Sequence, residues 1–237
     1  MKLLMATCSD KSQVHAKYTL PIHRMYAEKW GADFKILDDT SYNELGFAMW
    51  NYRTMVFYEL FEIYDRIFYI DTDIIINRNC PNIFKTVPFD TVGLVFEDKG
   101  SRLKNRRGRI GLIKEKFGGC EHWITGFPNG GLYVASKIHR EIFTKINGEL
   151  WNGPGYDGNH YMYQIIKQSH KYVDLGYKWN HMPMFSESWH GSLSRFDSYM
   201  LHYGGKASFP DKQGRSRVQL IKDDVIKIYG EMGQECL

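Results

Sequence analysis

Apolar residues in this chain fall into short, mostly unbroken runs, separated by longer segments in which they recur every three to four positions. Unbroken apolar runs are typical of strands that are covered on both faces of a sheet. They predict strands at residues 2–7, 34–37, 67–70, 91–96 and 130–135. Two shorter strands are predicted at 172–175 and 200–203.

The segments between these runs have the spacing of amphipathic helices, in which one face is apolar. The clearest is 48–64, and further helices are predicted from a cap at Ser9 or Asp10 to Trp30, and over 137–147, 160–168 and 217–229. The first contains Pro21, which is expected to kink or split it. Because strands and helices alternate, we predict an α/β fold with a parallel sheet and right-handed crossovers.

The strand at 67–70 ends at an Asp-x-Asp sequence, Asp71-Thr72-Asp73. Residues i and i+2 of an extended chain point to the same side, so both carboxylates should leave the strand together. At the carboxyl end of a strand they would face the crevice where α/β sheets bind ligands. Hard oxygen ligands there suit Mg²⁺ or Mn²⁺ shared with a phosphate. The alternative is that Asp71 caps the strand and Asp73 is a solvated turn residue.

Composition excludes some classes of function. An apolar content of 43% and a charged content of 24% are those of a globular protein. The net charge of +4 makes no case for nucleic acid as the main partner, although an anionic small molecule is compatible with it. Most of the 16 Tyr, 14 Phe and 6 Trp are attributed to core packing, with sugar stacking as the alternative.

Cysteines and apolar segments bear on the location of the protein. The four cysteines are scattered without zinc-binding spacing, which predicts free thiols in a reducing compartment. The first apolar run is too short for a signal-peptide core, and no segment approaches the length of a membrane span. If the chain is the complete product, a cytoplasmic location is expected.

Residues 99–109 hold six cations and no acid. Their glycines and lack of periodicity predict a mobile surface loop with no special role. The sharper alternatives are a lid over a diphosphate and a contact to an anionic acceptor.

Five segments in order resemble the GT-A nucleotide-sugar glycosyltransferases, most closely the glycogenin-like group and the related galactosyl- and xylosyltransferases. The segments are 26–31, 64–73, 128–134, 178–180 and 202–206, and they span nearly the whole chain. The resemblance implies a single GT-A domain over 1–237, with a Rossmann-like, mostly parallel sheet flanked by helices and a smaller antiparallel element.

The resemblance also implies how the chain binds a metal and a diphosphate. It assigns Asp71, Asp73 and His202 to Mn²⁺ (or Mg²⁺) that bridges the two phosphates of a nucleotide sugar, with Asp71 also reaching the ribose. Gly205 would allow close approach of the diphosphate, and Lys206 would supply positive charge. The family's lysine usually lies further beyond the histidine, so Lys206 departs from the pattern.

Further donor contacts are implied by position. Asn129 and Gly130 would contact the donor sugar, and the alternative is a tight Asn-Gly turn. Arg53 would face the same region, with a surface arginine as the alternative. The base and ribose of the nucleotide would lie beside the end of the first strand, at Thr7, Cys8 and Ser9.

The segment 156–161 departs most from the family, whose members commonly carry an Asp-Gln pair near the reacting sugar. Here Asp157 could hydrogen-bond a sugar hydroxyl, and His160 could act as a base or a hydrogen-bonding group. The alternative for His160 is a helix-terminal histidine without a catalytic role. Trp189 and His190 would line an acceptor cleft, unless the tryptophan is buried in the core.

The leading hypothesis is a metal-dependent hexosyl- or pentosyltransferase that uses a nucleoside-diphosphate sugar, first of all a UDP-sugar. The acceptor would be a glycan, a glycolipid or a protein-linked sugar. A sugar nucleotidyltransferase should show an early Gly-rich phosphate loop, which residues 7–13 lack. A sugar-binding or scaffolding protein on a transferase fold is the non-enzymatic alternative.

Overall fold

The computed structural model describes residues 1–9, 13–38, 49–183, 185, 194–204 and 214–230. The strands are Leu3–Ser9 (β1), Asp33–Asp38 (β2), Arg66–Ile70 (β3), Ile74–Ile76 (β4), Thr91–Phe96 (β5), Pro128–Ser136 (β6), Lys171–Asp174 (β7) and Met200–His202 (β8). The α-helices are Ala16–Trp30 (α1), Met49–Leu60 (α2), Ile83–Thr86 (α3), Leu103–Phe117 (α4), Tyr156–Lys167 (α5) and Arg217–Tyr229 (α6). Short 3₁₀ helices lie at Gly100–Arg102, Lys137–Phe143, Tyr177–Trp179 and Arg195–Asp197.

A six-stranded sheet has the order β2-β1-β3-β6-β5-β7. The pairs β1–β2, β1–β3 and β5–β7 are parallel, whereas β6 is antiparallel to both of its neighbours. A separate antiparallel pair joins β4 to β8. The predicted class, an α/β fold with a mostly parallel sheet and a smaller antiparallel element, is confirmed.

Helices cover both faces of the sheet, which explains the unbroken apolar run in β3. Phe68 and Ile70 pack into a core cluster that includes α1, α6, β4 and β8. Ile67 and Tyr69 point the other way, into a cluster with α2, α4 and α5. Successive strand residues alternate between faces, so a strand buried on both sides has no polar face to show.

Residues 99–109 are not a loop, so that prediction is wrong. Residues 100–109 form a 3₁₀ turn and the first half of α4. The helix is held down by Ile110 and Ile113, which are buried against the second core cluster. Gly108 and Gly111 lie within it and weakened the sequence signal, because glycine disfavours helix interiors.

Two other local predictions need correction. Residues 137–143 form a 3₁₀ helix instead of the predicted α-helix, and α1 continues through Pro21 without being split. Burial of Ile22 and Tyr26 on the far side of the proline holds that helix together through packing. The predicted cap residue Asp10 lies outside the described residues.

Within the described part of the chain, no helix is both long and apolar enough to cross a membrane. Cys80 and Cys120 are free thiols, as the cysteine spacing predicted.

Gly93 in β5 provides a test of the packing between the sheet and its surroundings. A Cβ at this position would lie 2.8 Å from side-chain carbons of both Val134 and Val87. We expect Gly93→Ala to lower the free energy of unfolding by about 1–3 kcal/mol, because the core there has no room for a methyl group. Urea unfolding monitored by circular dichroism measures the change.

The matched control is Gly111→Ala in α4, where a Cβ would meet no atom within 4 Å. Replacing a helical glycine by alanine should stabilise the protein by about 0.5–1 kcal/mol. A Gly93→Ala protein as stable as the unmodified chain would contradict the register of β5 against β6.

Candidate active site

Backbone pairing brings together three side chains that could hold a metal ion. The Asp71 N–H donates to the Gly131 carbonyl over 2.8 Å, which continues the β3–β6 pairing past the end of β3. In the small sheet, Ile74 pairs with His202, and the Tyr203 N–H donates to the Asp73 carbonyl over 3.0 Å. Ligand atoms of Asp71, Asp73 and His202 consequently all lie within 4.8 Å of one another.

His202 is oriented by a hydrogen bond at one ring nitrogen and an ion-pair contact at the other. Its Nδ1 lies 2.7 Å from the Asn180 side-chain oxygen, and its Nε2 lies 3.3 Å from Asp73 Oδ1. Burial opposes the charged form, but the carboxylates of Asp73 and Asp71 raise the pKa of His202 above its ordinary value. With Nδ1–H donated to Asn180, Nε2 is the nitrogen that would bind a metal in place of its proton.

Two glycines keep the space between these ligands open. A Cβ on Gly131 would lie 2.7 Å from Asp71 Oδ2 and 2.8 Å from His202 Cε1. A Cβ on Gly204 would lie 2.6 Å from His202 Nε2. Two carboxylates and an imidazole around a space that side chains would fill fit a small divalent cation such as Mn²⁺ or Mg²⁺.

Thr72, between the two aspartates, is anchored to α1 and the residues before it. Its carbonyl accepts a hydrogen bond from the Thr19 hydroxyl, and its own hydroxyl donates to the Gln13 side chain, each over 2.5 Å. His15 Nε2 lies 3.1 Å from the same hydroxyl. These contacts hold the turn in the conformation that presents Asp71 and Asp73 to the same space.

Arg53, from α2, connects the metal-ligand cluster to Asp157. Its guanidinium donates to Asp71 over 3.0 Å and also contacts the Tyr69 hydroxyl and Asp157. Tyr69 in turn donates to Asp71 over 2.5 Å. Arg53 is buried and engages three protein groups, so it positions the two carboxylates on either side of it.

Asp157 lies at the start of α5 and is buried. Burial raises the pKa of its carboxyl to about 6, with Arg53 opposing the rise and Asp71 adding to it. A Cβ on Gly130 would lie 2.7 Å from Asp157 Oδ1, so only a glycine here leaves room for the carboxylate oxygen. A carboxyl group that titrates near neutral pH is suited to exchanging a hydrogen bond or proton with a sugar hydroxyl.

These groups line a cavity of about 560 Å³, a size typical of small-molecule sites. Asn129 is another residue of this lining, and its side chain is held by two neighbours. Its side-chain oxygen accepts from the Gly131 N–H over 2.9 Å, and its side-chain nitrogen donates to Glu97 over 3.1 Å. Arg102, Arg106 and Arg109 form a further part of the lining.

Other predicted site residues are not brought into this cavity. Thr7 and Cys8 are buried at the end of β1 and do not line it, and Ser9 is half-buried beside them. Four predicted site residues lie outside the described residues, namely Trp189, His190, Gly205 and Lys206.

His160 does not reach the cavity either, and we correct its assignment as a base. It is buried, its Nε2 lies 2.7 Å from the Thr144 carbonyl, and its Nδ1 accepts from the Trp151 N–H over 3.4 Å. Burial lowers the pKa of His160 to about 4. His160 is therefore a neutral histidine whose hydrogen bonds connect α5 to the preceding segments. Its position on the helix directs the side chain into the core.

Several site residues were missed at the sequence level. Arg217, at the start of α6, donates to Asp73 Oδ2 over 2.8 Å, although it lies far from that residue in the chain. Glu97 follows β5 and is buried. The only sequence signal for Glu97 as a site residue was its position directly after the apolar run of a predicted strand, as Asp71 follows β3. Arg217 carried no such signal.

Three solved structures that share this architecture are glycosyltransferases by their descriptions. A glycosyltransferase involved in the glycosylation of the major capsid of PBCV-1 has a TM-score of 0.60 at 12% identity, covering 94% of this chain and 100% of that one. Galactosyltransferase LgtC in complex with donor and acceptor sugar analogs has a TM-score of 0.57 at 14% identity, covering 100% of both chains. The bifunctional glycosyltransferase WbbM scores 0.62 at 12% identity, covering 98% of this chain and 50% of that one.

The class that these structures define is the GT-A fold, and this chain has it. No protein-family model and no curated protein matches the chain. At 12–14% identity the likeness concerns the fold.

The buried state of His160 has a consequence for stability. Between about pH 4 and pH 6.5 the unfolded chain binds a proton at this histidine and the native chain does not, so stability should fall as pH falls through this window. The loss is at most about 3 kcal/mol. We expect His160→Gln to lose this part of the pH dependence, measured by urea unfolding between pH 7.5 and 4.5.

His23 and His139, whose pKa values are also lowered to about 4 by burial, keep their contributions in the variant and serve as the internal reference. Identical slopes for the variant and the unmodified chain would show that His160 is protonated in the native state.

Proposed function

We propose that this chain is a metal-dependent glycosyltransferase that transfers a sugar from a nucleoside-diphosphate sugar to a glycan, glycolipid or protein-linked acceptor. A UDP-sugar is the first donor to test. The observation that carries the proposal is the convergence of Asp71, Asp73 and His202 on a cavity at the end of the central strand β3. The GT-A fold supports it, because the solved structures named above that share the fold are glycosyltransferases.

Asp71, Asp73 and His202 would hold Mn²⁺ or Mg²⁺. When bound, the ion offsets the negative charge that builds up on the diphosphate as the anomeric C–O bond breaks. Arg217 places a positive charge beside Asp73 and is proposed as an additional contact for the diphosphate. Gly205 and Lys206 remain proposals from the resemblance.

On the sugar side, Asn129 and Asp157 are proposed to hydrogen-bond the transferred sugar. Asn129 is held in place by Gly131 and Glu97, which orients its amide. Asp157 presents an oxygen beside Gly130, and Arg53 keeps this carboxylate and that of Asp71 at a set separation. Such positioning converts binding energy into orientation of the reacting groups.

The nucleotide is proposed to lie beside the end of β1. Ser9 is the residue of that segment with an accessible side chain, while Thr7 and Cys8 are buried beneath it. We therefore expect Ser9 to contact the nucleotide directly, and Thr7 and Cys8 to support the strand end.

The first test is metal-dependent nucleotide binding. We expect Mn²⁺ plus UDP to raise the melting temperature, measured by differential scanning fluorimetry. At a ligand concentration of a hundred times Kd, binding stabilises the folded protein by about 2.7 kcal/mol. Asp73→Asn should abolish the rise, because it removes a charged metal ligand. Asp65→Asn, at a half-exposed aspartate just before β3, is the control and should leave the rise unchanged.

Absence of metal-dependent binding for UDP, GDP and other nucleotides would discard the transferase assignment. Release of the nucleoside diphosphate from a panel of nucleotide-sugar donors then measures turnover. Binding without release for every donor, with acceptor extracts present, would favour the scaffolding alternative.

Gly131 allows a second, sharper test of the metal site. We expect Gly131→Ala to weaken Mn²⁺ binding by at least about tenfold, because its methyl group would occupy the space between Asp71 and His202. Isothermal titration with Mn²⁺ and UDP measures the loss.

Gly108→Ala is the control, since a Cβ there meets no atom within 4 Å. It should bind Mn²⁺ as the unmodified chain does. Unchanged Mn²⁺ affinity in a folded Gly131→Ala protein would place the ion elsewhere.

A further inference from the structure

One wall of the cavity is built from three arginines on a single helical face. Arg102 ends the 3₁₀ turn before α4, and Arg106 and Arg109 follow on the helix itself. Their spacing of four and three residues places them on the same side of a helix. All three line the cavity that also contains the metal-ligand cluster. We call these three residues the arginine wall.

The acids on this wall do not balance its charge. Glu97 is the carboxylate that pairs with it, and its two oxygens lie 2.8 Å from Arg102 Nη1 and 2.6 Å from Arg106 Nε. Arg109 has no ion-pair partner among the residues that the structure describes. Counted over the described residues, the wall therefore carries three positive charges against one negative charge.

The other carboxylates of the cavity are engaged elsewhere. Asp71 and Asp157 both pair with Arg53, and Asp73 pairs with His202 and Arg217. None of them forms an ion pair with the arginine wall in the described part of the chain. The excess positive charge of the wall is therefore left for a ligand.

We infer that the acceptor is an acidic saccharide, with a carboxylate or phosphate group that binds the arginine wall through Arg109. This inference rests on the proposed function, in which the donor diphosphate is served by the metal ligands and Arg217. A neutral sugar would need hydrogen-bonding partners but no excess of guanidinium groups. Guanidinium groups match carboxylates and phosphates in both charge and geometry.

Neighbouring side chains hold the arginines of the wall in position. Arg102 lies over the Phe185 ring at 4.4 Å and Arg106 lies over Phe127 at 5.2 Å, so aromatic faces support both guanidiniums. The Arg109 carbonyl accepts from the Asn159 side chain over 3.2 Å, which ties this turn of α4 to the start of α5. Arg109 is half-buried, so its charge is close to the cavity and less screened than a fully exposed one.

The test compares matched neutral and acidic sugars on the full chain saturated with Mn²⁺ and UDP. The probes are methyl galactoside against methyl galacturonide, and glucose against glucose 6-phosphate, with binding followed by NMR titration. We expect at least one acidic probe to bind about tenfold more tightly than its neutral partner, with the difference shrinking at high salt. Preference for the uronide or for the phosphate identifies which anion the acceptor carries.

Arg109→Gln should reduce the preference to within about threefold while leaving Mn²⁺ and UDP binding unchanged. The matched control is Arg107→Gln, a neighbour on the same helix that pairs with Asp98 and does not line the cavity. It should retain the full preference.

Three results would overturn the inference. The first is equal binding of acidic and neutral probes, and the second is the same loss of acidic preference in Arg107→Gln as in Arg109→Gln. The third is weaker Mn²⁺ and UDP binding in Arg109→Gln, which would assign the wall to the donor diphosphate. Failure of the unmodified chain to bind Mn²⁺ and UDP is a separate result that removes the proposed function itself.

Discussion

The antiparallel pairing of β4 with β8 is the contact on which the candidate site depends. It sets His202 opposite Ile74, directly after Asp73, and so brings an imidazole to two carboxylates from a distant part of the chain. A shift of one residue in this register would turn His202 to the opposite side of the strand. The pair is short but fully buried, which fixes the register by packing.

Charge compensation is the second constraint on the site. Carboxylates this deeply placed are costly without partners, and each one in the cavity is paired. Arg53 balances Asp71 and Asp157, while His202 and Arg217 lie against Asp73. This arrangement leaves one region of the cavity that could hold a cation. A second region, the arginine wall, keeps excess positive charge among the described residues.

Most of the fold could be predicted from local sequence patterns. The prediction failed where tertiary contacts outweigh those patterns. The strands near residues 67–70 and 91–96 and the helix over 217–229 match the structure closely, because burial on one or two faces leaves a periodic trace in the sequence. The sequence predicted a loop at residues 99–109, because charged residues and glycine make up most of this segment. Burial of Ile110 and the pairing of two arginines with Glu97 make the segment part of a helix.

The sequence by itself determined the buried strand β3 and the Asp-x-Asp pair that follows it, since both depend on neighbouring residues only. Tertiary structure decided which distant groups meet that pair. Arg53 and Asp157 are 104 positions apart in the chain yet share an ion pair, and His160, three residues after Asp157, is turned into the core. Local periodicity encodes which face of an element is buried, but contacts between elements depend on strand register and helix packing, which only the folded chain specifies.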